Sequence, residues 1–509
     1  MLKKNIFMTL LAKFKKLFDP IDLTKGNIYK DITLFMIPII LSLIFQQLYS
    51  LTDAIIVGQS LSDSEIAGVN DAIPIVSIAL NFSWGCTCGF SVVISNRIGA
   101  KKPEEARRSF LLQLCLSTFV TVVLTIVMIL SINWLLAFIG ISPSTEGSSM
   151  QAVYKSAYTY VFIISLGIIA QMAYNQIVSV LRAIGDSFTP FLFLVFSTVL
   201  NIGLDSWFIL GLSWGVAGSA IATVLSELLA AIFSAIYVFV RYKQLRFRKG
   251  DFSFTWKFIL EHLRLGLPLG FQFSILQIGI IIMQAAIVKY DFTDPTGTAF
   301  IAGTPAQVGY SVANKLDGIL MSPFSALGTG MLSYMGQNNG AKDSERITKG
   351  FKASIIIGFF TWIIVMITGL LLTINGAYQH IFLANDRINS ETLRYGNSYL
   401  YLACPCLVVL MILFIARNTL QGLNKPLFPF LAGIGELLAR SLICLYVPAL
   451  VNGGAIDYTA SSASFYFVCA ADPLAWLTAT CILLIPLISM LRKQKKAIKP
   501  ELNKLPVEK

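Results

Sequence analysis

Long apolar segments, each broken by a short polar or basic stretch, run through the chain, and several far exceed the length of a buried helix in a soluble protein. Residues 109–145, 156–181, 206–226, 265–288, 353–385 and 395–416 carry few charges or none and are longer than the roughly 20 residues that a bilayer crossing needs. With shorter or charge-interrupted segments included, the pattern predicts twelve spans, near 32–57, 66–96, 109–139, 152–181, 188–211, 214–240, 258–288, 306–336, 351–378, 395–423, 427–450 and 460–491. They must be helices. Open strands in lipid would leave backbone groups unpaired, and the segments are too long and uniformly apolar for barrel strands.

The polar punctuation repeats. Ile-Gly-Ala-Lys-Lys-Pro-Glu-Glu-Ala-Arg at 98–107 is echoed by Asn-Gly-Ala-Lys-Asp-Ser-Glu-Arg-Ile-Thr at 339–348, an offset of 241. Pro38 answers Pro268 at an offset of 230, and 182–190 answers 421–429 at 239. A near-constant offset means two copies of one six-span unit. The expected organisation is an N-terminal arm over 1–31, a first lobe over 32–241, a basic linker over 242–257, a second lobe over 258–491 and a basic tail over 492–509.

Composition agrees with lipid as the solvent. The chain is 56% hydrophobic and 13% charged, about half the roughly 25% charged content of a soluble domain. Of its 39 Lys and Arg, 32 fall in the arm, the loops after even-numbered spans and the tail. The positive-inside rule then puts both termini in the cytoplasm. The net charge of +12 is accounted for by topology and attraction to anionic lipid, not by nucleic acid. Lys3 to Lys16 lacks a small-residue cleavage site and reads better as an interfacial amphipathic helix than as a signal peptide.

All eight cysteines lie inside predicted spans; Cys86 and Cys88, like Cys404 and Cys406, are two residues apart and point to different helix faces. The two histidines, His262 and His380, sit near span ends, and no HExxH or phosphate-binding loop occurs. Nothing supports a metalloenzyme, an ATP-driven machine or any other enzyme, and no cofactor is expected.

Polar residues within the spans carry the chemistry. A carboxylate at mid-membrane needs a partner, a proton or a purpose. The candidates are Asp53, Asp205, Glu227, Asp317, Glu436 and Asp472. In span 1, Ser42, Gln46, Tyr49 and Asp53 form one stripe; Gln171, Asn175 and Ser179 do so in span 4, Asn201 and Asp205 in span 5, and Ser219, Thr223 and Glu227 in span 6. The second copy has no such acids: Met283 stands opposite Asp53, and Arg440 and Cys444 stand opposite Asn201 and Asp205. Asp53 and Asp205 are either functional acids or structural carboxylates held by hydrogen bonds or an Arg. Arg440, four residues after Glu436, favours a structural ion pair there. Gln272, Gln277 and Gln284 either line a cavity or join helices. No role follows for Glu227, Lys315, Asp317 or Asp472.

Twelve spans in two repeats, with Pro38 fifteen residues before Asp53 in PIILSLIFQQLYSLTDAIIVGQSL, the two Gly-Ala-Lys segments, LRAIGDSFTP, LNIGLDSWFILG and GVAGSAIATVLSE, together resemble the multidrug and toxic compound extrusion (MATE) family, DinF-like and MepA-like branch. The resemblance implies an all-α integral membrane protein of a prokaryotic plasma membrane, with two pseudo-symmetric six-helix lobes around a cavity open alternately to each side. It also implies export of small, mostly cationic organic compounds in exchange for H⁺ or Na⁺. Carried over, the family's first-lobe cation site falls on Asp53, Asn175, Asn201, Asp205 and Thr223, with Na⁺ as one candidate occupant. Gln46, Tyr49, Gln277, Met283 and Gln284 are the expected substrate-cavity residues, and a monomer is expected. The NorM-like acid of span 7 is missing, the nearest residue being Gln277. A flippase of the wider superfamily, moving lipid-linked sugars or phospholipid, is the alternative; it would need basic cavity residues, for which Lys315, Arg417 and Arg440 are the candidates.

Overall fold

The computed structural model describes residues 19–143, 149–294, 299–383 and 388–502, with side chains to Gln494. The expected interfacial helix over Lys3 to Lys16 lies outside these residues. Twelve long helices succeed one another: α1 (Ile28–Ser60), α2 (Asp63–Gly99), α3 (Pro103–Phe138), α4 (Ser149–Ala183), α5 (Phe188–Asp205), α6 (Gly215–Arg241), α7 (Trp256–Val288), α8 (Pro305–Gly340), α9 (Ser344–Thr373), α10 (Ser390–Gly422), α11 (Leu427–Asn452) and α12 (Ser462–Leu502). Among the described residues the only β pairing is an isolated bridge, Phe292 to Phe300.

Local chemistry sets the ends. Asn27 caps α1 by accepting from the Tyr29 and Lys30 amides, and Ser62 and Glu65 form a capping box on α2. Pro103 opens α3, where its missing N–H costs nothing. The fifth span keeps its expected bounds, α5 continuing as a π-helical turn, Ser206–Gly211, while two C-terminal ends depart furthest from the apolar pattern. The ninth segment ends at Thr373, because Asn375 and Gly376 take left-handed backbone (φ 52° and 66°), and a separate short helix, Ala377–Phe382, follows. α12 runs beyond 491 to Leu502.

Eleven helices among the described residues are long and apolar enough to cross a membrane. α8 is the exception to the expected twelve. It has the length but not the apolarity, since Lys315, Asp317 and many Gly, Ser, Asn and Gln residues dilute it. In α3 the polarity is inverted relative to a soluble helix: Gln113, Ser117 and Thr121 are buried while Leu130 is 81% exposed. Outward leucine costs nothing against lipid, whereas polar groups are better satisfied inside.

Packing divides the chain into two compact units, Met1–Phe271 with Leu332–Ile347 and Gln421–Asn424, and Gln272–Met331 with Thr348–Leu420 and Lys425–Lys509. In the first unit α4 packs on α2, α3 and α6, and α5 lies between α1 and α6. In the second, α11 packs along α12.

The sequence echo is also an echo of backbone geometry. Lys101 and Lys342 both adopt positive φ, 57° and 59°. Around them the amide of Lys101 bonds the Ile98 carbonyl and that of Lys102 bonds Arg97, while Lys342 bonds Asn339 and Asp343 bonds Asn338. Gly185 (φ 95°) and Asn424 (φ 60°) form the second such pair. Each closes its helix in the same way, Gly185 on Arg182 with Asp186 on Leu181, and Asn424 on Gln421 with Lys425 on Leu420. These are left-handed helix stops, and their recurrence at both echoes is the structural counterpart of the duplication.

Candidate ion and substrate site

Four helices of the first unit bring the polar stripes together. On α1, Ser42 spends its hydroxyl on the Pro38 carbonyl at 2.8 Å. Seven residues on, the Tyr49 hydroxyl lies 3.4 Å from Thr223 Oγ1 of α6. Asp53 and Asp205 are neighbours, and Asn201 neighbours Asp205. Apart from one another they have no partner: Asp53 Oδ1, both Asp205 oxygens and both polar atoms of the Asn201 side chain are buried with no hydrogen bond to any other residue. Asn201 and Asp205 are 1% and 0% exposed. Buried polar atoms left open in this number are uncommon.

Tyr49 of α1 and Tyr160 of α4 each lie within electrostatic reach of Asp53, Asp205 and Glu227 of α6. Tyr160, between Thr159 and Val161, belongs to none of the polar stripes.

Asn175 sits elsewhere in the unit. With Ser42, Gln46, Asn81, Gln171 and Arg182 it lines a cavity of about 410 Å³, whose apolar wall includes Trp84 and Tyr174. Ser179, although in register with Gln171 and Asn175, turns toward α3, accepting from Gln113 Nε2 at 3.0 Å and donating to the Gln176 carbonyl at 2.9 Å. Steps of four drift around a helix of 3.6 residues per turn, which is enough to rotate the third member of the stripe away. Gln277, Met283 and Gln284 are on α7 in the second unit. There Met283 is buried, Gln277 is partly buried and Gln284 is exposed.

The second unit holds a charge network of its own. Arg417 Nη2 meets Glu436 Oε2 at 2.6 Å, Arg440 Nη2 meets Glu436 Oε1 at 3.2 Å, and Arg440 Nε meets Asp472 Oδ1 at 2.7 Å. The Tyr399 hydroxyl lies 3.1 Å from Asp472 Oδ2 and 3.2 Å from Asp317 Oδ2. Spacing shows only the Glu436–Arg440 pair. Arg417 and Asp472 join it through tertiary packing, with no regular interval to announce them. Lys315 is exposed and outside this network.

Loops between the spans add two well-satisfied acids. Asp186 accepts from the Thr189 amide (3.0 Å), Thr189 Oγ1 (2.7 Å) and the Tyr242 hydroxyl (2.7 Å); burial pushes its carboxyl up despite these bonds. Asp251 takes two bonds from Arg107, Nε at 2.6 Å and Nη2 at 3.0 Å, and that guanidinium holds its carboxyl below the usual range. Among the described residues no cluster of His, Cys, Asp or Glu suits a chelated metal.

A family model described as MatE matches residues 38–207 and 280–445, one segment in each copy of the repeat. This chain belongs to that family. The transporter is similar to two proteins of Bacillus subtilis (strain 168): "probable multidrug resistance protein YpnP", 27% identical over 64% of this chain and 68% of that one, and "probable multidrug resistance protein YoeA", 26% identical over 81% and 85%. Its fold is similar to that of a solved structure described as the outward-facing conformation of a multidrug resistance MATE family transporter of the MOP superfamily, with a TM-score of 0.79 at 22% identity over 94% of this chain and 99% of that one. The protein is therefore a multi-pass membrane transporter of the multidrug efflux type and not an enzyme.

Proposed function

We propose that this transporter exports lipophilic, mostly cationic organic compounds in exchange for H⁺ or Na⁺ bound at Asp53 and Asp205. The observation that supports it is the group of oxygens on Asp53, Asn201 and Asp205 with no partner outside the group, buried side by side between α1 and α5. Two carboxylates that close repel when both are ionised, so uptake of one proton or one Na⁺ relieves the pair. Asn201, Thr223 and Tyr49 supply neutral oxygens around the ion, a donor set suited to a hard monovalent cation. Asn175, in the neighbouring cavity, serves the substrate side of the exchange.

Neutralising the pair alters how α1, α5 and α6 pack, and Pro38 is the natural bending point of α1 because it lacks an amide donor. The ion enters from outside with both termini in the cytoplasm; the site then opens alternately to the two faces of the membrane, and the substrate leaves as the ion binds. A monomer suffices for this cycle.

Ethidium efflux from vesicles carrying Asp205→Asn is the direct test. Efflux falls to background at equal expression; a wild-type rate would overturn the reading. Imposing a proton gradient and a Na⁺ gradient separately on proteoliposomes identifies the ion. The flippase alternative draws less support, because Arg417 and Arg440 are already paired with Glu436 and Asp472, and those carboxylates would repel a phosphate there.

A further inference from the structure

Arg182 is the one charged residue lining the cavity of the first unit. Positive-charge counting treats it as a loop residue after the fourth span, but it occupies the last turn of α4 and reaches the cavity. Its Nε is buried without a hydrogen-bond partner, and no carboxylate among the described residues pairs with it. The acid on the next turn, Asp186, is committed to Thr189 and Tyr242. The groups that sense its charge most strongly are the thiol of Cys88 and the phenol of Tyr174, both neutral partners. The C-terminal carbonyls of α4 offset part of the cost of this cation, yet its planar fork of donors remains open toward a polar cavity.

The same cavity carries Gln46, Gln171, Asn175 and two aromatic side chains, Trp84 and Tyr174. Gln171 Oε1 is also buried and unpartnered. An unpaired guanidinium beside amides and flat apolar walls matches one kind of guest: a planar amphiphile bearing an oxyanion. Guanidinium donors meet carboxylate and phosphate oxygens two at a time, which an ammonium cannot do. A cationic substrate must hold its positive charge at the far end of the cavity from this guanidinium.

We propose that Arg182 makes this cavity a receptor for the carboxylate or phosphate end of an amphipathic substrate, whose aromatic body lies against Trp84 and Tyr174. The proposal deepens the export reading and rests on it for the direction of transport. Asp53 lies seven residues beyond Gln46 on α1, about 10 Å along the helix axis. A zwitterion long enough to cover that rise would present its cation toward Asp53 and Asp205 and its anion to Arg182.

Two matched pairs of fluorescent probes test this with the purified full chain: rhodamine B against its ethyl ester, and flavin mononucleotide against riboflavin. Each pair differs only by the oxyanion. Binding is read by fluorescence anisotropy without any gradient. The wild type prefers the oxyanion member of at least one pair by about tenfold, the rhodamine pair reporting a carboxylate site and the flavin pair a phosphate site. Arg182→Gln removes that preference by weakening the acid alone, and Arg182→Lys retains part of it. Equal binding of both members in both pairs by the wild type overturns the proposal, as does an equal loss of all four probes in Arg182→Gln. A wild type that prefers the acids but moves none of the probes in proteoliposomes supports the anion site and counts against the export reading.

Discussion

Gly99 at the end of α2 and Gly340 at the end of α8 are reciprocal contacts: a Cβ on Gly99 would strike the Gln337 backbone, and a Cβ on Gly340 would strike the Asn96 backbone. The two positions are also related by the 241-residue offset of the Gly-Ala-Lys echo. Around them Asn339 Nδ2 donates to Asn96 Oδ1 at 2.7 Å and Asn96 Nδ2 to Asn424 Oδ1 at 3.0 Å. The repeated glycine permits the ends of two equivalent helices to cross backbone against backbone.

Alanine at either glycine should therefore force the crossing apart. Overpacking of this kind costs about 1–3 kcal/mol, read as a lower melting temperature of the purified protein in detergent. Gly58→Ala is the control, since nothing lies within 4 Å of the added carbon; it leaves the melting temperature unchanged or slightly raised.

Arg107 and Asp251 predict an acid limb in the stability profile. Arg107 depresses the Asp251 carboxyl below its ordinary value of 3.8. The pair's contribution is thus fully present above about pH 4 and is lost as pH falls through the folded-state value below 3.8. Melting curves at descending pH should show this loss in the wild type and a shallower one in Asp251→Asn. Arg107→Ala, which strands a buried carboxylate, should destabilise at neutral pH by about 3–5 kcal/mol.

The network of the second unit is structural by the same logic. Removing Arg440 strands Asp472 and half of Glu436, so Arg440→Met should cost about 3–5 kcal/mol by thermal unfolding. Tyr399→Phe removes one hydroxyl shared by two carboxylates and should cost nearer 1 kcal/mol, about one hydrogen bond. Equal losses from the two variants would show that Arg440 is not the centre of the network.

Glu227 acts on Tyr49 and Tyr160 together with Asp53 and Asp205, and its role should be in ion coupling. In Glu227→Gln, ethidium efflux should fall about tenfold, the scale of an intramembrane acid that takes part in coupling. The dissociation constant of the dye should stay within about twofold, since a neutral amide preserves the shape of the site. A change in dye affinity with no change in coupled rate would place Glu227 in the substrate pocket instead.

Much of this was legible in one dimension. Lipid removes water as a hydrogen-bond partner, so a long apolar segment has no alternative to the helix; eleven of the twelve expected spans follow from that alone. Repetition was legible because each copy needs the same left-handed stops, at Lys101 and Lys342 and at Gly185 and Asn424. Intramembrane acids stand out by their cost, and Asp53, Asp205, Glu227 and the Glu436–Arg440 pair could be picked out by composition and spacing.

What the sequence by itself determined, then, is the solvent, the helices, the duplication and the rare polar positions, because each is dictated by local backbone chemistry or by exclusion from lipid. Tertiary structure alone decided partnership. It brought Tyr160 into reach of the acids, turned Ser179 toward α3, drew Arg417 and Asp472 into one network with Glu436 and Arg440, and left Arg182 unpaired in a polar cavity. Whether a buried charge is neutralised depends on what packs against it from other helices, and no interval along one chain records that distance.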